Sequence, residues 1–241
     1  MTGGTHDTTP VKRLLVLDAS AAGDAAGGLA ACVTGVGEQL DLRASRLIVG
    51  RGGAEELAPL VRALLAEAAW CPREIDVVAV VCGPGSFTGL RASLALAHGV
   101  ALGSGAVVLP VTVGEALAPA LMAEAADRGL TRAVCVLAAR RGRVFLDEAG
   151  VVTACALDGL TLAREPVLLA GNAAESLLDG ASASSAQLSK HHAPDALMIA
   201  AAALRRARGD LPPRAPLPLY VEAAEAKLPA GGLRPAPKAG S

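Results

Sequence analysis

Apolar and polar positions follow two periods in the first half of the chain, and each change of period marks a new element. Short apolar or alternating runs, typical of strands, are followed by runs in which apolar residues recur every three or four positions, as in a helix. The predicted strands are Leu14–Leu17, Gly28–Val36, Leu40–Val49, Ile75–Cys82 and Val107–Leu109. The predicted helices are Ala54–Trp70, Phe87–Leu102 and Gly114–Arg128.

The second half has fewer periodic segments. The predicted strands are Ala133–Ala138, Arg143–Leu146 and Val167–Ala170, and the predicted helix is Asp195–Arg208. The Ser- and Ala-rich stretch Ala181–Ser189 predicts a loop, and the Pro-rich sequence from Leu211 onward predicts an extended tail. Antiparallel-type strands followed by parallel βα units predict an α/β fold, with a mixed sheet that carries helices on its faces.

Composition excludes several classes of binding protein. The 241 residues contain 22 Lys and Arg against 23 Asp and Glu, a net charge of −1. Such a chain is a poor candidate for holding a nucleic-acid backbone alone, because that affinity comes largely from neutralising phosphates. Only four residues are aromatic, which argues against base-stacking platforms and aromatic cation sites. They are Phe87, Phe145, Trp70 and Tyr220.

Cysteine spacing and the N-terminal sequence predict a cytoplasmic protein. The five Cys form no C-x-x-C pair, which is typical of reduced thiols, and the polar start has no apolar segment of a signal peptide. Residues Ala92–Gly114 contain no Asp, Glu, Lys or Arg and are long enough to span a bilayer. The sequence Gly103-Ser104-Gly105 divides them, so we expect a helix followed by a strand and no membrane contact.

The most informative segment is the Gly-rich run Val81–Arg91, VCGPGSFTGLR, where a buried strand leads into a helix. Pro84 restricts its own φ, and Gly83 and Gly85 permit conformations closed to other residues. Either Ser86 or Thr88 can cap the helix. Free amides at a helix start can hold an anion, so a phosphate cradle is one interpretation. The other is a tight turn that lets the helix pack closely on the sheet, with Arg91 solvated.

The run GPGSFTGLRASLALAHGVAL resembles the signature of the TsaB (YeaZ) family. Three further segments support the resemblance: LLVLDAS at the first strand, ARRGRVF at a predicted hairpin, and PLYV near the end. The resemblance implies an actin-like fold of the sugar-kinase, heat-shock-ATPase and ribonuclease H-like type, with two small lobes. We expect these at residues 11–112 and 113–229, with the last helix free to pack back, between disordered tails at 1–10 and 230–241.

The resemblance also implies a function without catalysis. Family members pair with TsaD, and TsaE, an ATPase, joins them in a complex that modifies tRNA. The complex transfers a threonylcarbamoyl group to the adenosine next to the anticodon. The expectations are therefore a heterodimer with TsaD, contact with tRNA only through TsaD, and self-association when TsaD is absent. We expect no tightly bound cofactor, with ATP or ADP as the nucleotide to test at the partner interface.

The residues that the resemblance assigns to the partner surface lie in and after the Gly-rich run. They are Gly83, Pro84, Gly85, Ser86, Phe87, Thr88, Gly89, Arg91, Leu94 and His98. The small residues of this helix suit a closely packed partner helix, and packing on the chain's own sheet explains them almost as well. Asp18 and Ser20 occupy the place of a phosphate loop, where a structural or vestigial role is favoured over nucleotide binding.

Two other functions remain as alternatives. A metallopeptidase of the glycoprotease type needs a metal motif such as the H-x-x-x-H of the catalytic relative, and His6, His98, His191 and His192 form no such pair. We therefore expect no metal site and no catalytic residue, with His98 buried or facing a partner. A nucleotide-binding regulator of the actin-like superfamily would use the Gly-rich run as its phosphate cradle.

Overall fold

The computed structural model describes residues 12–21, 27–49, 53–140, 142–158, 160, 165–180 and 185–221. Both predicted disordered tails lie outside these residues. The first five strands are β1 Lys12–Asp18, β2 Gly27–Val36, β3 Gln39–Val49, β4 Val77–Gly83 and β5 Val107–Thr112. They form one sheet in the order β3-β2-β1-β4-β5, in which β1, β2 and β3 pair antiparallel and β4 and β5 add in parallel.

The second sheet repeats the topology of the first. Its strands are β6 Ala133–Ala138, β7 Arg143–Glu148, β8 Val151–Ala156, β9 Val167–Ala170 and β10 Ala186–Leu188. Their order is β10-β9-β6-β7-β8. As in the first sheet, three consecutive strands pair antiparallel, here β6, β7 and β8, and two further strands add in parallel next to the first of the three. The chain is thus built from two related α/β lobes, and the predicted fold class is confirmed.

In the described part of the chain, five α-helices separate and cover the two sheets. They are α1 Gly53–Glu67, α2 Phe87–Ser104, α3 Val113–Asp127, α4 Ala174–Gly180 and α5 Ala196–Arg208. Helices α1 and α2 pack on one face of the first sheet, over Leu15, Leu17 and Val80. Helices α3 and α5 fill the layer between the sheets, and α4 covers the outer face of the second sheet. The paired helices α1 and α2 therefore form one outer surface of the molecule.

Local sequence signals account for the helix ends that matter here. Helix α2 ends at Gly105, whose φ of +80° is in the left-handed region, and β5 begins two residues later. This break confirms the predicted division of the uncharged stretch into a helix and a strand. In the described part of the chain, no helix has the length and apolarity needed to cross a membrane.

Three elements of the second lobe differ from the sequence prediction. Strand β8 and helix α4 were not predicted, and β10 lies within the predicted loop Ala181–Ser189. All three are short, at six, seven and three residues, and β8 is an edge strand with an exposed Val151. Segments of this length show too few repeats for periodicity to identify them.

A buried ion-pair network joins the lobes between α3, α5 and the segment that follows α5. Glu115 on α3 is 2% exposed and contacts Arg206 of α5 at 2.5 Å and Arg214 at 3.2 Å. The Arg206 Nε atom also donates to the Pro110 carbonyl at 2.7 Å. Helix α5 packs on the first sheet although it follows the second lobe in sequence, as the prediction allowed.

Candidate functional site

The Gly-rich turn connects the buried strand β4 to helix α2. Gly83 and Gly85 take φ angles of +139° and +159°, which glycine adopts at little cost, and the Gly83–Pro84 peptide bond is cis. Ser86 is the N-cap residue, and its hydroxyl accepts a hydrogen bond from the Gly89 amide at 3.4 Å. The segment therefore makes the turn and begins the helix, as the sequence predicts.

This turn packs directly against the loop after β1. A Cβ atom at Gly85 would lie 2.0 Å from the Ser20 carbonyl oxygen, and one at Gly89 would lie 1.8 Å from that of Ala19. The Ser86 amide donates a hydrogen bond to the same Ser20 oxygen at 2.7 Å. Close approach of two backbones thus explains these glycines and favours the tight-turn interpretation. Phosphate binding by this loop stays a prediction.

Asp18 and Ser20 form the other side of this contact. Both residues are buried, and the Ser20 amide donates to Asp18 Oδ1 at 2.8 Å. Burial raises the pKa of Asp18 above its ordinary value of 3.8, against the lowering effect of its hydrogen bonds with Ser20. The carboxyl therefore holds the loop that receives the Gly-rich turn, which supports the structural role over a nucleotide role.

The raised pKa of Asp18 predicts a pH-dependent effect on stability. The folded chain holds this proton more tightly than the unfolded chain, so the stabilisation is complete below about pH 3.8 and is lost as pH rises through the folded-state pKa. We expect Asp18→Asn, which cannot ionise, to be more stable than wild type at pH 8, with the difference shrinking toward pH 4. Urea unfolding at several pH values measures this.

The exposed Asp41 provides the control for this substitution. Asp41→Asn should change the free energy of unfolding by less than about 0.5 kcal/mol across the same pH range. A wild-type chain more stable than Asp18→Asn at pH 8 would show that the ionised carboxylate stabilises the loop, which contradicts this account.

Helix α2 presents a mostly uncharged stripe to solvent. Five of its exposed residues recur at the spacing of one helical face, and Leu102 at its C-terminal end is 89% exposed. They are Thr88, Arg91, Ala95, Gly99 and Leu102. The adjacent helix α1 adds the exposed small residues Ala58, Ala63 and Ala66, and it also exposes the charged residues Glu56, Arg62 and Glu67. The two helices together offer a surface on which a partner helix can pack closely.

Several predicted surface residues are instead internal. The Leu94 side chain is 3% exposed and packs between α2 and the first sheet, so it cannot contact a partner while the chain is folded. Gly89, Ser93 and Ala97 are also buried, because they face the chain's own interior. The sequence analysis left open that the small residues of this helix pack on the chain's own sheet, since one side of α2 must do so.

Phe87, Arg91 and Tyr220 form an exposed cluster at the start of α2. The Arg91 guanidinium lies 3.7 Å from the centroid of the Phe87 ring, and its Nε atom donates to Tyr220 Oη at 2.7 Å. Tyr220 comes from the C-terminal segment that follows α5. Arg91 is therefore held by two rings rather than freely solvated, and sequence reasoning did not place Tyr220 in this site.

His98 lies on the exposed surface of α2, so the alternative that it is buried is wrong. Its Nε2 atom lies 2.9 Å from the Pro216 carbonyl oxygen, within hydrogen-bond distance. This contact attaches the C-terminal segment to α2 a second time. Thr88 is exposed in the first turn of the helix, and Pro84 is buried beneath the turn.

Reactive groups are scarce in the described ranges. Burial raises the pKa of the Cys82 thiol beside the Gly-rich turn to about 11, so it is protonated at neutral pH and is a poor nucleophile. Within residues 12–221, apart from the gaps named above, no three His, Cys, Asp or Glu side chains come together as metal ligands.

Comparison with known proteins gives matches to this chain in both sequence and structure. A family model described as TsaD, tRNA N6-adenosine threonylcarbamoyltransferase, matches residues 48–156. Over 98 residues the chain is 30% identical to the tRNA threonylcarbamoyladenosine biosynthesis protein TsaB of Escherichia coli (strain K12), which covers 41% of each protein. The structure of YeaZ from Pseudomonas aeruginosa superposes with a TM-score of 0.64 at 22% identity, over 87% of this chain and 99% of that one.

The resemblance to the TsaB (YeaZ) family is confirmed. A second structure, of an uncharacterized Pseudomonas aeruginosa protein with similarity to peptidase YEAZ, has a TM-score of 0.63 at 23% identity, over 88% of this chain and all of that one. An uncharacterized protein of Mycobacterium tuberculosis (strain ATCC 25618 / H37Rv) is 54% identical over 55 residues, 22% of this chain. The matched segments span 26% of the mycobacterial relative and 41% of E. coli TsaB.

The match to the TsaD model covers the elements that form the exposed surface. Residues 48–156 include α1, the Gly-rich turn and α2, together with α3 and the first three strands of the second sheet. The region matched by the TsaD model therefore includes the part of the chain that carries the stripe of exposed small residues.

Proposed function

We propose that this chain pairs with TsaD and activates it for threonylcarbamoyl transfer to the adenosine next to the anticodon in tRNA, without catalysing the transfer. TsaE joins this pair in the larger complex, and tRNA contacts the chain through TsaD. The observation that carries the proposal is the exposed surface of α1 and α2, which lies within the region matched by the TsaD family model.

The composition of this surface suits a helix-on-helix contact. Ala95 and Gly99 lie at the middle of the α2 stripe, where side chains of this size let two helix axes approach to about 8 Å. Leu102 offers an apolar side chain that is almost fully exposed in the isolated chain. Covering it removes apolar surface from water, which favours association. Self-association through the same surface is expected when TsaD is absent.

We expect Ala95→Arg to abolish pairing with TsaD. The substitution places a long charged side chain at the middle of the stripe, while the exposed position leaves the chain's own fold unchanged. The matched control is Ala123→Arg, which adds the same side chain at an exposed position of α3. Each variant is co-expressed with the cognate TsaD carrying an affinity tag, and the eluate is resolved by size-exclusion chromatography.

Wild type and Ala123→Arg should elute with TsaD, and Ala95→Arg should not. Co-elution of Ala95→Arg at the wild-type ratio would contradict the assignment of this surface. Absence of co-elution for the wild-type chain would contradict the proposed pairing itself.

A further inference from the structure

Two of the four aromatic residues of this chain meet at its surface. Phe87 and Tyr220 are separated by more than half of the sequence, yet their ring centroids are 5.7 Å apart. They remain 43% and 51% exposed, so the contact does not complete the chain's own core. Exposed aromatic rings that are held in place are a common feature of the central residues of protein interfaces.

Arg91 lies between these rings, and within the described ranges no carboxylate pairs with it. It is the only Lys, Arg, Asp or Glu residue in the sequence of α2. Its guanidinium contacts the Phe87 ring and donates through Nε to Tyr220 Oη. Among the described residues no acidic side chain forms an ion pair with it. The Nε atom is used by Tyr220, and the two Nη atoms form the end of the guanidinium that a carboxylate of a partner can bind in a bidentate way.

The C-terminal segment holds Tyr220 in this position by several independent contacts. The Leu219 amide donates to the Cys82 carbonyl at 2.8 Å. A Cβ atom at Gly83 would lie 3.1 Å from the Leu219 Cβ, so the first glycine of the turn leaves room for this segment. The His98 contact with the Pro216 carbonyl fixes the segment farther along α2. The aromatic and cationic cluster is thus built jointly by the Gly-rich turn, α2 and the C-terminal segment.

We infer that the cluster Phe87–Arg91–Tyr220 anchors the partner and that Arg91 receives a carboxylate side chain of TsaD. This inference rests on the proposed function and names the chemistry of its contact. A guanidinium already held by two rings loses little conformational freedom on binding, and it presents parallel N–H donors that match a carboxylate. Tyr220 acts as a positioning residue, because its hydroxyl orients the guanidinium.

Charge favours TsaD over a second copy of this chain as the occupant. In a symmetric homodimer in which α2 packs on α2, each copy contributes its own Arg91 to a stripe that contains no carboxylate. A different chain can supply the missing negative charge. The cluster therefore favours the contact with TsaD. The small residues of the stripe suit a TsaD helix and a helix of a second copy equally well.

Calorimetric titration of the full-length chain with the cognate TsaD tests this inference. We expect Arg91→Glu to raise the Kd about 100-fold, since it places two negative charges together. Tyr220→Phe keeps the ring and removes the acceptor for Nε, and we expect a roughly fivefold increase. Arg43→Glu, the same charge change at an exposed position of β3, is the control and should change the Kd less than about twofold. Melting temperatures of all variants establish that they fold.

Restoration of the Arg91→Glu affinity by exchanging one TsaD carboxylate for Lys would identify the pair and support the inference. An unchanged Kd for Arg91→Glu, with wild-type pairing intact, would overturn the inference and leave the proposed function standing. Stronger self-association of Arg91→Glu with unchanged TsaD binding would also overturn it. Failure of the wild-type chain to bind TsaD would overturn the proposed function and this inference together.

Discussion

Gly89→Ala is expected to lower the free energy of unfolding by about 3 kcal/mol or more. The added Cβ would lie 1.8 Å from the Ala19 carbonyl oxygen, a backbone atom that cannot rotate away. The helix and the loop after β1 must then separate, which strains the hydrogen bond from the Ser86 amide to Ser20. A loss of this size corresponds to a melting temperature roughly 10 °C lower in a chain of this length.

The matched substitution Gly99→Ala is expected to have the opposite effect. Gly99 lies in the same helix, and no atom from outside that helix lies within 4 Å of the place that an added Cβ would take, so Ala adds helix propensity without a clash. A gain of about 0.5–1 kcal/mol follows. Thermal unfolding followed by circular dichroism measures both variants. Equal shifts in one direction would contradict the close packing of the Gly-rich turn.

Glu115→Ala is expected to destabilise the chain by about 3–5 kcal/mol. The substitution leaves Arg206, whose side chain is almost completely buried, without its carboxylate, and it also removes a contact of Arg214. It further removes the acceptor for the Thr112 amide at the start of α3, where the Glu115 carboxylate lies at 2.8 Å. The substitution therefore weakens both the start of α3 and the junction between the two lobes. Urea unfolding monitored by circular dichroism gives the free energy.

Glu74 provides the control because it makes the same two kinds of contact at the surface. It accepts from the Cys71 amide at 2.7 Å and pairs with Arg13 at 2.8 Å, with both charged side chains about 40% exposed. Glu74→Ala should therefore cost no more than about 1 kcal/mol. A similar loss for Glu74→Ala and Glu115→Ala would contradict the structural importance of the buried network.

The first lobe could be predicted from sequence because its signals are local. The break at Gly103–Gly105 and the hydroxyl cap of α2 each act within a few residues, and the structure shows both, with Ser86 rather than Thr88 as the cap. Periodicity also identified α1, whose apolar face packs on the first sheet. The short elements β8, α4 and β10 carried no comparable signal and depend on pairing with their neighbours.

The remaining features of the site depend on contacts between distant segments. Sequence alone left both a phosphate cradle and a tight turn as explanations for Gly85 and Gly89. The loop that these glycines contact lies about 65 residues earlier in the chain, so no local signal could decide between the two. Sequence alone did not place Tyr220 beside Arg91, since 129 residues separate them. It placed Leu94 on the partner surface because a mostly apolar helix gives little indication of which side faces the sheet. The structure assigns that side to the core.

The most direct test of the proposed function is the amount of threonylcarbamoyladenosine formed in tRNA by purified TsaD and TsaE, with the threonylcarbamoyl donor, in the presence and absence of this chain. We predict formation with the wild-type chain and with Ala123→Arg, little formation with Ala95→Arg, and none with the chain when TsaD is omitted. Equal formation with and without this chain would contradict the proposal that it activates TsaD.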